Sequence, residues 1–516
     1  MKKKILLLIF ISVFCANANA QFHLVPDSSF SNDGIVSVDL TGQTDKAYSL
    51  AIQPDGKIVV TGYADSGPNF DIYIERFNTD GTLDTSFSND GIQTTAIGID
   101  KDKSYALVLQ PDGKIVIVGS TKVGGDFNMA FVRYLTNGDL DSSFGTDGIT
   151  SVSLSNGNDP AYSVFFQPDG KIVAAGYAQY DLGVVRLTGS GIPDSTFDFD
   201  GIAKEHIGST FTKAHACVLQ PDGKIVVAGS VNSGNDDIMI LRLNSNGSLD
   251  STFHSNGIYV LADTASYAIA NALVLQPNGK IILSGFTIST DSLLEDFITI
   301  RFNTDGTIDS TFGENGNGIV LTDFDSAYEE AYSVLIDSSA RIIVAGSSLK
   351  NNERDFAIAF YTADGIVDTS LTPSGKITMD VYNGNDYGHD IAVTPSGKLI
   401  ECGFSARPAG TDISLVQFRV DTIPHDTVII NSTENISEND FTVFPSLISD
   451  WLVVRSSQFG ENTAYELRDV FGRELIFLTN NHEPLTTIDA SELADGMYFL
   501  TVANSFQRKT FKLVKE

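Results

Sequence analysis

Gln53-Pro54-Asp55-Gly56-Lys57-Ile58-Val59-Val60-Thr61-Gly62 reads as a tight turn feeding a short strand. Proline presets φ, aspartate tolerates the next turn position, and glycine accepts positive φ. The β-branched run that follows fits a pleated surface and stops at a glycine. The turn recurs at Gln110–Lys114, Gln167–Lys171 and Gln220–Lys224, and as Gln276-Pro277-Asn278-Gly279-Lys280. Asp337-Ser338-Ser339-Ala340-Arg341 is a degenerate sixth copy, and Thr394-Pro395-Ser396-Gly397-Lys398 a seventh. The last residues of the seven copies lie 57, 57, 53, 56, 61 and 57 residues apart.

Working outward, each copy sits in a four-strand unit. In the first, Ala47–Gln53, Lys57–Thr61, Asp71–Phe77 and Gly91–Ile97 are strand-like, and Asn78-Thr79-Asp80-Gly81 supplies another turn. Seven units of four short antiparallel strands define propeller blades, and no helical periodicity competes. A second phrase, aspartate and two hydroxyl residues before phenylalanine, begins at Asp27, Asp84, Asp141, Asp194, Asp250 and Asp309; at Asp368 it ends in Leu371 instead. An arginine recurs at 76, 133, 186, 242, 301 and 419, with Phe360 in its place in blade six. These arginines are expected to pair with aspartate of a neighbouring strand or blade and to fix register.

Together the two phrases resemble the delta-60 repeat over residues 27 to about 420. That resemblance implies a β-propeller used as a binding or scaffold module in bacterial surface proteins. The phase of the repeat predicts how the ring closes. The chain opens with a fourth-type strand, Gly34–Leu40, and leaves the array on a third-type strand, Asp412–Val420. Pairing these two would complete blade seven and leave no open edge.

If the Ala47–Gln53 type is innermost, the residue nine before each repeated Lys or Arg borders the channel mouth. These residues are Tyr48, Tyr105, Tyr162, His215, Asn271, Tyr332 and His389. The six rings among them form the candidate ligand-binding set, a stacking platform for a carbohydrate or peptide. The competing reading is packing between blades near the axis. Two segments, Asn78–Asp84 and Asn303–Asp309, have the oxygen spacing of a calcium loop, but neither ends in the glutamate of an EF-hand, and turns account for both. No cofactor is expected beyond this weighed calcium reading.

The ends of the chain differ from the middle. Lys2–Lys4, an apolar stretch from Ile5 to Cys15, and Ala18-Asn19-Ala20 read as a signal peptide over residues 1–20. Residues 21–420 form the propeller, 421–438 a linker rich in Thr, Asn, Ser and acids, and 439–516 a small Ig-like β-sandwich. The terminal module opens on Phe444-Pro445 after Phe441-Thr442-Val443. It also holds Asp469–Arg473, Leu493-Ala494-Asp495-Gly496-Met497-Tyr498-Phe499 and a basic terminus. It resembles the C-terminal sorting domain of the type IX secretion system. The resemblance implies that residues 439–516 engage that machinery and that a Gram-negative bacterium exports the chain to its surface or medium.

A formal charge of −32 argues against nucleic acid and against anionic membranes. Beyond residue 20 only Cys217 and Cys402 remain, in blades that do not touch, so both are expected as buried small hydrophobes. Seven scattered histidines form no HxH or HExxH, and no GxSxG elbow occurs. The expectation is therefore an all-β, monomeric, non-catalytic exported module with a glycan or protein ligand. An extracellular polysaccharide hydrolase or lyase is the alternative, and a passive surface scaffold the third reading.

Overall fold

In this computed structural model the described residues are 21–423, apart from 66, 68, 209, 233–234, 262–265, 290–293, 325–327, 351 and 409, together with the strands within 442–515. The signal-peptide stretch and most of the linker lie outside them. Among the described residues there is no helix. Residues Phe22–Asp421 form one compact unit, and residues 422–516 belong to a second.

The first unit consists of seven antiparallel sheets in sequence. Blade one contains Asp45–Ile52, Ile58–Asp65, Phe70–Phe77 and Ile92–Thr95, in that order from the axis outward. First strands of successive blades contact one another around the whole circle, which places them innermost. The second strand reads as a continuous apolar run, Ile58-Val59-Val60, because both faces of each blade are covered by neighbours and alternation has no purpose. Fully burying each such side chain contributes about 1.5–3 kcal/mol.

The ring closes as its phase predicts. Ile35–Val38 pairs antiparallel with the strand Gly410–Ile423, matching Ile35 to Val416 and Val38 to Ile413. Gln21–Pro26 pairs with the same long strand, so blade seven has five strands. Leu24 then packs with Leu371 and Phe360 of blade six, and Phe30 with Tyr73 and Phe77 of blade one.

The repeated phrases converge on one structural weld. Asp141 accepts Arg133 Nε at 2.8 Å and Lys114 Nζ at 2.9 Å, and its Oδ1 accepts Ser143 Oγ at 2.6 Å. Arg133 also stacks on Phe144, 4.6 Å from the ring centroid, and donates to the Gly189 carbonyl of blade three at 2.5 Å. Thus the turn lysine, the strand arginine and the aspartate–phenylalanine phrase form one cluster that grips the next blade. The same cluster recurs at Asp84, Asp194, Asp250 and Asp309. Burial alone would raise these carboxyl groups. The lysine, hydroxyl and arginine partners outweigh it, holding Asp194 at about 2 and the other four far below the usual carboxylate range.

A depressed native pKa gives stability that is fully present above the unfolded value of about 3.9 and is lost as pH falls through the native value, which for four of the five lies below 2. Asp141→Asn should therefore cost about 3 kcal/mol at pH 7, because Arg133 stays buried without its counter-charge. At pH 2.5, where the unfolded carboxyl is protonated but the native one still ionised, the cost should be smaller by roughly half. Denaturant unfolding at the two pH values checks this, and an equal loss at both would contradict it.

In the second unit, Thr442–Phe444, Trp451–Arg455 and Leu485–Asp489 form a three-stranded sheet. A five-stranded sheet orders Leu447–Ile448, Arg508–Lys515, Gly496–Ala503, Thr463–Asp469 and Glu474–Asn480. Tyr498 and Leu500 are buried, as is Leu467 across from Leu500.

Candidate functional site: the channel and its mouth

Every innermost strand carries a β-bulge at the same place. In blade one the register slips between Ala47 and Ser49, so Tyr48 has no partner across the strand. The slips elsewhere single out Tyr105, Tyr162, His215, Asn271, Tyr332 and His389. A bulge bends its strand and re-aims the extra residue. Opposite each bulge stands a glycine, and the close approach demands it. A Cβ on Gly62 would lie 1.8 Å from the Lys46 carbonyl oxygen, and one on Gly119 would lie 1.9 Å from that of Lys103.

The bulges bring the six predicted rings into one array. Tyr162 stacks on His215 at 5.5 Å and tilts against Tyr105 at 5.2 Å. Tyr105 meets Tyr48 edge-on at 5.4 Å, Tyr48 meets His389 at 4.7 Å, and His389 meets Tyr332 at 4.5 Å. Asn271 occupies the remaining place, donating to the Ala331 carbonyl at 2.8 Å. All six rings are half-buried. Burial pushes His215 down to about 4 and His389 to about 3, with Lys213 and Lys46 adding to the effect, so both imidazoles are neutral at physiological pH. The array lies mid-strand, at the waist of the channel, with one stacked pair, Tyr162 and His215, and the other contacts tilted or edge-on.

The mouth is set two residues earlier, by Lys46, Lys103, Pro160, Lys213, Ile269, Glu330 and Tyr387. Lys46 lies 4.1 Å over Phe404, and Lys103 lies 4.4 Å over Tyr63 and 4.8 Å over Phe70. Lys213 lies 4.5 Å over Phe211. Tyr63 and Phe404 are buried beneath these lysines. Burial lowers the pKa of Lys46 and Lys103, and the charges of Lys101 and then Lys46 add to the lowering at Lys103. The opposite arc is acidic. Glu330 accepts Tyr332 Oη at 2.5 Å and pairs with Arg354 at 3.1 Å. Burial and the charge of Glu330 raise Glu295 to about 7.

The remaining sequence candidates have structural duties. Asp80 Oδ1 caps its own turn through Thr82, and Asp305 does the same through Thr307. Asp390, beside His389, joins three blades, accepting from Ser49 at 3.0 Å, Ser333 at 2.8 Å and Leu50 N at 2.9 Å. Cys217 and Cys402 are buried free thiols. An open depression of about 990 Å³, lined by Asn156, Tyr180, Lys204 and His206 among others, lies away from the axis on loops of blades two and three.

Sequence reasoning missed an acidic capping device three residues before five of the seven bulges. Asp45 Oδ2 accepts Leu40 N at 2.8 Å, Asp102 accepts Ile97 N at 2.7 Å, and Asp159 accepts Leu154 N at 2.8 Å. The signal was present as an acid at −3 in five of the seven first strands, at 45, 102, 159, 329 and 386.

A seven-bladed ring with a bulged aromatic waist, in a chain with a separate β-rich tail, is a repeat protein built on a propeller. The family described as "Domain of unknown function (DUF5122) beta-propeller" matches residues 53–87, 110–144, 167–197, 220–253 and 276–312. Each match runs from the turn glutamine to the phenylalanine of the weld. The secretion system C-terminal sorting domain matches residues 442–516. The chain carries DUF5122 β-propeller repeats and a type IX sorting domain, and that domain directs it to the cell surface or the medium.

No curated protein matches the sequence. Among solved structures, a catalytically inactive virginiamycin B lyase from Staphylococcus aureus with quinupristin is 13% identical at a TM-score of 0.40, covering 74% of this chain and 98% of that one. The polysaccharide lyase Uly1 is 11% identical at 0.39, covering 72% and 89%. The likeness is one of fold.

Proposed function

We propose that the ring is a non-catalytic surface module that binds an acidic glycan at the lysine arc of the channel mouth. The observation that carries this reading is the placement of Lys46, Lys103 and Lys213 around one opening of a chain whose formal charge is −32. Desolvated ammonium groups held over aromatic faces favour a carboxylated or sulfated ligand. Half-buried Phe70 offers an apolar edge beside them. Tyr48, Tyr105, Tyr162, His215, Tyr332 and His389 serve as the floor that holds this rim in place, because each packs against its neighbours in the array.

The test is a glycan array probed with the full chain and with Lys46→Gln/Lys103→Gln. Binding confined to acidic glycans and lost in the variant supports the reading. Binding to neutral glycans alone, or none by a folded chain, overturns it; capture of acidic peptides in place of glycans would reassign the ligand.

A second reading, a polysaccharide hydrolase or lyase, draws on Glu295, whose carboxyl near pKa 7 faces Glu330 and Arg354. Turnover of an acidic polysaccharide that disappears in Glu295→Gln would favour it.

A further inference from the structure

Two carboxyl groups stand where the repeat calls for hydrocarbon. In every blade one residue of the second strand faces one of the third across the ladder. The pair is Val60 and Glu75 in blade one, and Glu401 and Val416 in blade seven. In the other five blades both members are apolar and buried, as with Ile117 and Val132 in blade two or Leu283 and Ile300 in blade five. Glu75 and Glu401 are fully buried too, and neither oxygen of either carboxyl has a hydrogen-bond partner among the described residues. At other buried acids with an unpartnered oxygen, such as Asp102 and Asp386, only one oxygen of the two is so placed.

The two acids address the two sides of blade seven, the blade that closes the ring. Glu75 shares a strand face with Tyr73 and Phe77, which pack with Ile400, Cys402, Ile413 and Leu415 of blade seven. Glu401 lies on the opposite face of its strand from Ile400 and Cys402, beside Val416, and that face packs on Ile343, Ala345 and Ile358 of blade six. Room has been made for it. Gly388 stands where the other blades have alanine or serine, and a Cβ there would collide with Glu401 Oε1 and the Gly346 carbonyl oxygen. The ionisable groups near Glu75 are Asp45 of the innermost strand and Tyr73 of its own, with Cys402 and Tyr48 beyond Tyr73. Those near Glu401 are Asp390 of the innermost strand and Cys402 of its own. None of these groups is a cation.

We propose that Glu75 and Glu401 make blade seven a proton-dependent clasp, held while both carboxyls are neutral and loosened at both of its junctions when they ionise. An apolar junction that offers a carboxylate neither a hydrogen bond nor a counter-charge disfavours the ionised form. Burial, with the charge of Asp45 behind it, raises Glu75 to about 8. Burial and then Asp390 raise Glu401 well above the usual carboxylate range. The closed ring therefore keeps protons that an unfolded chain gives up above about 4.3, and its stability declines as pH rises from there toward 8. The blade so weakened is the one that Ile35–Val38 completes, so acid tightens the seam of the ring and alkali frees it.

Denaturant unfolding of the full chain, of Glu75→Leu and of Glu401→Leu, from about pH 5.5 to about pH 7.5, tests the clasp. Leucine already fills the equivalent positions of blades four and five, as Leu241 and Leu283. The folding equilibrium constant of each variant, divided by that of the unsubstituted chain, should grow at least tenfold over this range, since one retained proton is worth up to about tenfold per pH unit. The ratio cancels the other titrating groups. Glu75→Gln and Glu401→Gln, which keep the shape and remove the charge, should show the same trend even where leucine disturbs the packing. Amide hydrogen exchange locates the effect. Between about pH 6 and about pH 8, exchange at Ile413–Val416 should accelerate at least tenfold relative to Ile238–Leu241 of blade four, and either substitution should narrow that gap. A ratio of equilibrium constants that stays level with pH in both the leucine and the glutamine variants, or exchange that keeps the same proportion between the two blades, would overturn the proposal.

Discussion

Deletion of residues 21–40 should abolish cooperative folding of the ring. This segment contributes two strands to blade seven and the side chains of Leu24, Phe30 and Val36, all buried. At about 1.5–3 kcal/mol for each, their loss alone approaches the 5–15 kcal/mol that typically holds a domain together. The deletion also uncovers the edge of Gly410–Ile423, a long strand whose unpaired backbone groups are then open to pairing with other chains. It removes the hydrogen bonds from Asp27 N to the Gln417 carbonyl and from Gln417 N to the Gly34 carbonyl, at 2.8 and 2.9 Å. The truncated chain should aggregate or unfold over a broad range, and a peptide spanning 21–40 added in trans should partly restore the transition. Unfolding within about 1 kcal/mol of the full chain would show that closure is dispensable.

Gly119→Ala should destabilise the ring by about 3 kcal/mol or more, a large effect for one methyl group. The added Cβ would sit 1.9 Å from the Lys103 carbonyl oxygen and 2.7 Å from Ser104 Cα, so the backbone must move at the bulge. That movement would displace Tyr105 from between Tyr48 and Tyr162 and carry Lys103 away from Tyr63 and Phe70. Gly98→Ala is the control: its nearest atom, the Lys122 carbonyl oxygen, is 3.4 Å away and its φ is ordinary, so its cost should stay within about 0.5 kcal/mol. Thermal or denaturant unfolding of the two variants compares them directly, and equal stabilities would contradict the role assigned to the bulge.

The blades were legible because turn chemistry repeats. Asp55-Gly56-Lys57 and its copies fixed strand order, and the phase at Gly34 and Asp412 was enough to predict closure. The added pairing of Gln21–Pro26 was not legible, since it falls outside every repeated phrase. The repeated arginines were read as register pairs, and at 76, 133, 186, 242 and 301 they are, whereas in blade seven the ladder puts Gln417 rather than Arg419 in that place; the lysine of the turn completing the same cluster went unseen because 27 residues separate Lys57 from Asp84. The aromatic positions were found, but strand periodicity cannot reveal a bulge. Only the glycine five residues after each repeated Lys or Arg, from Gly62 to Gly403, carries that information. The mouth was hidden for a different reason. Lys46, Pro160, Ile269 and Glu330 occupy equivalent positions and share nothing, so comparing repeats averages them away. Structure in this ring is written in what the blades have in common, and the proposed binding surface in where they differ.

The most direct test of that surface is titration of the full chain with an acidic oligosaccharide at low and at physiological salt, beside Lys46→Gln/Lys103→Gln. Binding that weakens with salt and falls at least tenfold in the variant, with stability unchanged, is the predicted result. Equal affinity in the variant would place the ligand elsewhere on the ring and contradict the role assigned to the channel mouth.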